Sequence, residues 1–160
     1  MKTFFFLLIS TAIFAQNPKE QITKTLDDWH LSATQVRFND YMDVLTNDAI
    51  YIGTDATENW NKTQFIAFAK PYFDKGKAWS FFVLERHIYF SEDQKMAWFD
   101  ELLDTQMKIC RGSGVLVKIG KEWKIQHYVL SMTIPNDNSS EVIKSKTKIE
   151  DILIDKLSLK

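Results

Sequence analysis

The stretch Trp98–Gly120, WFDELLDTQMKICRGSGVLVKIG, decides how the chain is to be read. From Met96 to Asp104 one parity holds Ala97, Phe99, Glu101 and Leu103, and the other includes Asp100 and Asp104. Alternation with a period of two marks a strand with one face on a core and one in water. Glu101 is therefore predicted to point inward among apolar neighbours. A loop near Gln106–Lys108 leads to a second strand, Cys110–Ile119. Its RGSG segment lies inside a strand instead of between a strand and a helix, which removes a phosphate-loop reading. Glycines so placed mark a bulge or strong curvature, and a curved sheet can enclose a cavity.

The period of two continues on either side. Trp79–Phe90 precedes the pair across SEDQK, and Glu122–Ile134 follows across a tight GK turn, which makes four long strands. Further upstream the period changes. Ile22, Leu26, Trp29, Ala33 and Val36 recur at spacings of three and four behind Asn17 and Pro18, so a helix starts there. Phe38, Tyr41, Met42 and Leu45 continue as a second short helix, DAIYIGT (48–54) reads as a strand, and Asn61 caps a third helix that stops at Gly76. Helices first and antiparallel strands after them give an α+β chain whose helices cover one sheet face. Past Pro135, the segment Glu141–Leu157 carries Val142, Ile149, Ile152, Leu153 and Leu157 amid alternating charge, as an appended amphipathic helix or a loose tail.

With 160 residues, 45% hydrophobic and 26% charged, the chain has the make-up of one ordinary globular domain. A net charge of −1 gives no electrostatic reason to expect nucleic acid as a partner. The opening MKTFFFLLISTAIFA places Lys2 before an apolar run, Phe4–Phe14, and ends on the small residue Ala15. This is the pattern of a cleaved export signal. The run falls short of the roughly 20 apolar residues of a membrane span. The expected organisation is a signal peptide at 1–15, a domain at 16–137 and a partly helical tail at 138–160, in a periplasmic or secreted protein without a stable membrane anchor. A single cysteine, Cys110, cannot form an internal disulfide, and reads either as a small hydrophobe or as a thiol activated by Arg111.

No metal-ligand motif, paired cysteines or serine elbow is present, so neither metal nor cofactor is expected. The chemistry falls to charged residues inside the sheet. Arg86 shares parity with Ile88 and Phe90, and His127 and Ser131 share parity with Ile125 and Val129. An acid, a base and a cation can thus converge from Glu101, His127 and Arg86. The alternative is a satisfied Arg86–Glu101 ion pair. Trp29, Trp60, Trp79 and Trp98 are core residues or the lining of a roomy interior.

The segments DAIYIGTDATENW, KPYFDKGKAW, AWFDELL, CRGSGVLVK and EWKIQHYVLSMTIPND resemble the SnoaL-like group of the nuclear transport factor 2 superfamily, in its exported bacterial form. With the upstream helices the match spans about Gln21–Asp137. The resemblance implies a cone: a strongly bent antiparallel sheet wrapped around three helices, with a cavity open at one end. It implies binding of a small hydrophobic or carbonyl-containing molecule. The catalytic candidates are Glu101 and His127, and the ligand-facing candidates are Trp29, Tyr51, Trp60, Arg86, Phe99 and Ser131. Because the superfamily mixes isomerases, cyclases and dehydratases with binding and dimerisation modules, proton transfer by Glu101 or His127 and a ligand-free dimerisation role stay open beside binding. Val129 stands where many relatives carry a second inward histidine. Aromatics on both strand faces, among them Trp79, Phe81, Phe82 and Trp98, point to a homodimer on the outer sheet face.

Overall fold

Helix α1 (Pro18–Thr34) begins where the Asn17 side chain accepts the Lys19 N–H and Pro18 takes the first turn, where its missing donor costs nothing. Its buried face is Ile22, Leu26, Trp29, His30 and Ala33. A bend through Val36 sets off the short α2 (Phe38–Asp43). The computed structural model describes residues 17–159, so the expected export signal at 1–15 lies outside the described residues.

Strand β1 (Leu45–Ile52) opens three residues before the expected strand and absorbs Leu45 from the expected helix. The sequence reading did not foresee β2 (Asn59–Asn61), whose three residues are too few for a period. Asn61 then caps α3 (Lys62–Asp74) reciprocally: its side chain accepts the Gln64 N–H while the Gln64 side chain accepts the Asn61 N–H. Pro71 sits in the last turns of α3 and Gly76 closes the helix with φ 68°. Four long strands follow as β3 (Phe81–Phe90), β4 (Met96–Thr105), β5 (Lys108–Ile119) and β6 (Glu122–Met132). After a short 3₁₀ turn, α4 (Ser139–Ser158) forms a helix throughout and buries none of its residues.

The sheet order is β2-β1-β6-β5-β4-β3. Three hairpin-like pairings from β3 to β6 are antiparallel, as is β1 with β2, but β1 and β6 run parallel. The curved sheet is therefore mixed and unclosed, where the sequence reading expected an antiparallel one. The chain leaves β1, crosses through α3 to the far edge, and meanders back to lie beside β1 in the same direction. The concave face holds the core. Trp29 stacks on Tyr41 at 5.1 Å and meets Tyr128 edge-on at 4.8 Å, and Tyr51 stacks on Phe65 at 3.9 Å. These rings fill the interior that the tryptophan count had suggested was roomy.

A buried charge cluster and an aromatic recess as candidate functional site

Register decides which charged side chains enter the cone. In β3, Leu84 is an extra residue between the Val83–Leu103 and Glu85–Leu102 pairs, after which Arg86 faces Glu101. Glu101 is 0% exposed. Its Oε2 accepts from Arg86 Nε at 2.8 Å, with Nη2 also 2.8 Å away, and Arg86 Nη1 donates to Asp27 Oδ1 at 2.7 Å. Its Oε1 lies 2.8 Å from His30 Nε2 and 3.4 Å from the Tyr128 hydroxyl. An ionised carboxylate only accepts, so His30 carries a hydrogen on Nε2. Burial pushes the Glu101 carboxyl up, but the bond and charge of His30 and then the charge and bond of Arg86 outweigh it, and the group is held below the ordinary value of 4.5. Burial first, and then the Glu101 charge, push the Tyr128 hydroxyl well above its ordinary value.

Gly112, opposite Glu101 in β5, lets this cluster close. A Cβ there would lie 2.4 Å from the Tyr128 hydroxyl and 2.9 Å from Glu101 Oε1. Cys110 is buried at the same face, with Sγ 3.5 Å from the Thr105 hydroxyl.

His127 does not join the cluster. Leu116 pairs with Ile125 and Val115 pairs with His127, so Gln126 is an extra residue in β6. A bulge of this kind inverts the parity of everything after it. Tyr128 and Leu130 point inward, while His127, Val129 and Ser131 turn to the outer face. The acid, base and cation expected to converge are thus an acid and a cation, with His30 of α1 as the histidine. The inward placement of His127 and Ser131 is corrected on that ground. His30 was legible in principle, since it lies four residues past Leu26 on the apolar face of α1.

The aromatic recess, taken as the mouth of the cone, lies where the end of β1, the β4–β5 turn and α3 meet. Tyr51, Gly53, Thr54, Glu58, Trp60, Phe65, Phe68, Trp79, Gln106, Met107 and Leu130 line a cavity of about 130 Å³. Trp60 stacks on Phe68 at 4.3 Å, and Trp79 anchors the far wall by donating Nε1 to the Tyr41 hydroxyl at 3.1 Å. Of the expected ligand-facing residues, Tyr51 and Trp60 line this recess. Trp29 is wholly buried in the core, with Nε1 donated to the Tyr41 carbonyl, Phe99 is buried against Tyr128, Arg86 is bound to Glu101 and Asp27, and Ser131 is exposed on the outer face. The sequence reading missed Glu58, Phe65 and Phe68 as lining residues. Phe65 and Phe68 carried a helical signal for α3, whereas Glu58 sits in a loop with no periodic signal at all.

A curved, unclosed sheet preceded by helices is the NTF2-like architecture. The SnoaL-like domain model matches residues 22–135, and the chain belongs to that family. Solved structures with the same fold include an NTF2-like protein of unknown function from Pseudomonas putida KT2440, 10% identical over 78% of this chain and 94% of that one, with a TM-score of 0.62. An NTF2-like protein from Cytophaga hutchinsonii ATCC 33406 is 16% identical over 74% of this chain and 100% of its own, with a TM-score of 0.60. An NTF2-like family member from Streptomyces avermitilis, proposed to be a dehydratase, is 9% identical over 72% and 96%, with a TM-score of 0.62. No curated protein matches the chain. At these identities the likeness carries the fold alone.

Proposed function

We propose that the chain is an exported small-molecule-binding domain whose ligand seats at the cone mouth, against Tyr51, Trp60, Phe65 and Trp79. The observation that carries this reading is the aromatic recess with its single carboxylate, Glu58. Concave, mainly apolar sites with a few polar groups are the usual form of a ligand pocket. Proton transfer at Glu101 has less support: the carboxylate is sealed from solvent, its partners occupy both oxygens, and His127 stands on the opposite face. Export rests on Lys2, the apolar run and Ala15.

A ligand screen by thermal shift tests the mouth, because a molecule that binds the folded state alone raises the midpoint with its concentration. Ligands are expected to stabilise the wild-type protein and not Trp60→Ala. Equal stabilisation of both would move the site elsewhere.

The outer sheet face supports a homodimer as a second property. Tyr89, Trp98, Val115, His127 and Ile50 form one row across five strands, and Trp98 is 44% exposed. Exposed apolar side chains gathered on a strand face usually mark an interface. Sedimentation at micromolar concentration is expected to show a dimer that Trp98→Glu converts to a monomer. A monomeric wild-type protein would remove the proposal.

A further inference from the structure

The recess at the cone mouth carries one formal charge and it is negative. Five aromatic residues stand in its wall, Thr54, Gln106, the Tyr51 hydroxyl and the Trp60 N–H are neutral polar groups there, and no lysine, arginine or histidine lines it. Glu58 is seated there by its own loop. Its Oε2 accepts the Asp55 N–H at 3.1 Å, its carbonyl accepts the Gly53 N–H at 3.0 Å, and its N–H is donated to the Asp55 carbonyl at 3.0 Å. Gly53 is part of the seat, since a Cβ at that position would lie 2.2 Å from Glu58 Oε2. Among the described residues Glu58 makes no ion pair. Lys146 and Lys156 of α4 line a separate recess against Thr54–Thr57, and Lys146 is held by Glu150 at 2.8 Å.

Building on the mouth-binding reading above, we infer that the recess takes a compact organic cation, an alkylammonium or quaternary ammonium head group. Aromatic rings attract cations through their quadrupoles, most strongly for tryptophan, and Glu58 adds a full opposite charge. An anionic ligand would meet only repulsion from Glu58. A neutral carbonyl could accept from Thr54, Gln106, Tyr51 or the Trp60 indole N–H, but it would leave the Glu58 charge unmatched. A bare divalent metal ion needs about six oxygen ligands, which a single carboxylate among rings does not provide. The cavity of about 130 Å³ is well below the roughly 300–1,000 Å³ of pockets that enclose drug-sized ligands, so it fits a head group with the rest of the molecule outside.

The test compares choline with 3,3-dimethyl-1-butanol, its uncharged carbon isostere, each titrated into the full chain and followed by tryptophan fluorescence and by ligand-observed NMR. Choline is expected to bind roughly tenfold tighter than the alcohol, by the charge alone. Glu58→Gln keeps shape and the Asp55 bond, and should close most of that gap. Trp60→Ala should weaken both probes, with Phe68→Leu as the replacement should Trp60→Ala not fold. Binding of the alcohol as tightly as choline, or an unchanged gap in Glu58→Gln, overturns the cation inference while leaving a neutral ligand at the mouth. Failure of both probes, together with a thermal-shift screen without Trp60-dependent hits, overturns the mouth-binding reading as well.

Discussion

Glu101 and Glu58 are carboxylates in two regions of one cone, and their surroundings are opposite. Both oxygens of Glu101 are occupied, by His30 and Tyr128 on one side and by Arg86 on the other, with Arg86 tied on to Asp27. Glu58 has one oxygen on a backbone amide and no cation among the described residues. A charge removed from water must be paired or the fold loses stability, so full occupancy marks a brace. A carboxylate left unpaired beside aromatic surface at an opening has capacity for something that arrives from solution. The difference between the two lies in partners rather than residue type, which is why a glutamate inside a strand drew attention and a glutamate in a loop did not.

The sharpest way to break this contrast is Glu101→Gln. If Glu101 is a brace, the substitution removes the charge between His30 and Arg86 and leaves an amide NH2 facing one of these donors in a buried site. The expected loss is about 3 kcal/mol in urea unfolding, at the low end for breaking a buried pair because Asp27 remains with Arg86. Choline binding by the folded fraction is expected to be unchanged. Intact stability with lost binding would make Glu101 the ligand carboxylate and reverse the assignment. Gly112→Ala attacks the same cluster from beneath. Its Cβ would press on the Tyr128 hydroxyl and on Glu101 Oε1, and overpacking of this sort costs about 1–3 kcal/mol. Denaturant midpoints of the two variants and of their double mutant would show whether they disturb one unit, since coupled sites are non-additive.

A smaller effect follows from acid. The folded-state carboxyl of Glu101 is held below its ordinary value, so the unfolded chain takes up the proton first as pH falls. The stability that the cluster supplies is therefore fully present above pH 4.5, the ordinary value, and fades below it as the pH approaches the lowered folded value. Urea unfolding between pH 7 and pH 3 is expected to show a steeper acid loss for the wild-type protein than for Glu101→Gln. Parallel pH profiles would mean that the carboxylate is not the group that titrates.

The contrast also separates what the sequence made legible from what it did not. Arg86 and Glu101 were placed inward correctly by strand parity, because the bulge at Leu84 precedes both of them and leaves their alternation intact. Parity failed at His127 and Ser131 because the extra residue, Gln126, falls inside β6, and no glycine or proline marks it. The helical faces of α1 and α3 were visible at spacings of three and four, yet His30 was passed over beside Trp29 because a polar residue within an apolar stripe carries no periodic signal of its own. Loops have no period, so the seat formed by Gly53, Asp55 and Glu58 emerges only when the backbone bonds close it. The mouth was half legible for the same reason: Tyr51 and Trp60 stood out as aromatics, and their relation to Trp79 depended on β3 starting at Phe81, which leaves Trp79 in the segment that folds back over Tyr41.

The smallest expected effect is the most discriminating. If Glu58 is held for a ligand and not for the fold, Glu58→Gln should leave unfolding free energy within about 0.5 kcal/mol of wild type, the range of substitutions that break no structural feature. The reasoning is local. A glutamine oxygen can still accept the Asp55 N–H, the backbone bonds from Gly53 and to Asp55 do not involve the side chain, and no ion pair among the described residues is lost. Glu101→Gln makes the same chemical change in the same protein with the same tools, so the pair is its own control. A loss at Glu58 comparable to that at Glu101 would mean that the loop carboxylate also supports the fold, and the distinction between brace and binding site would fall.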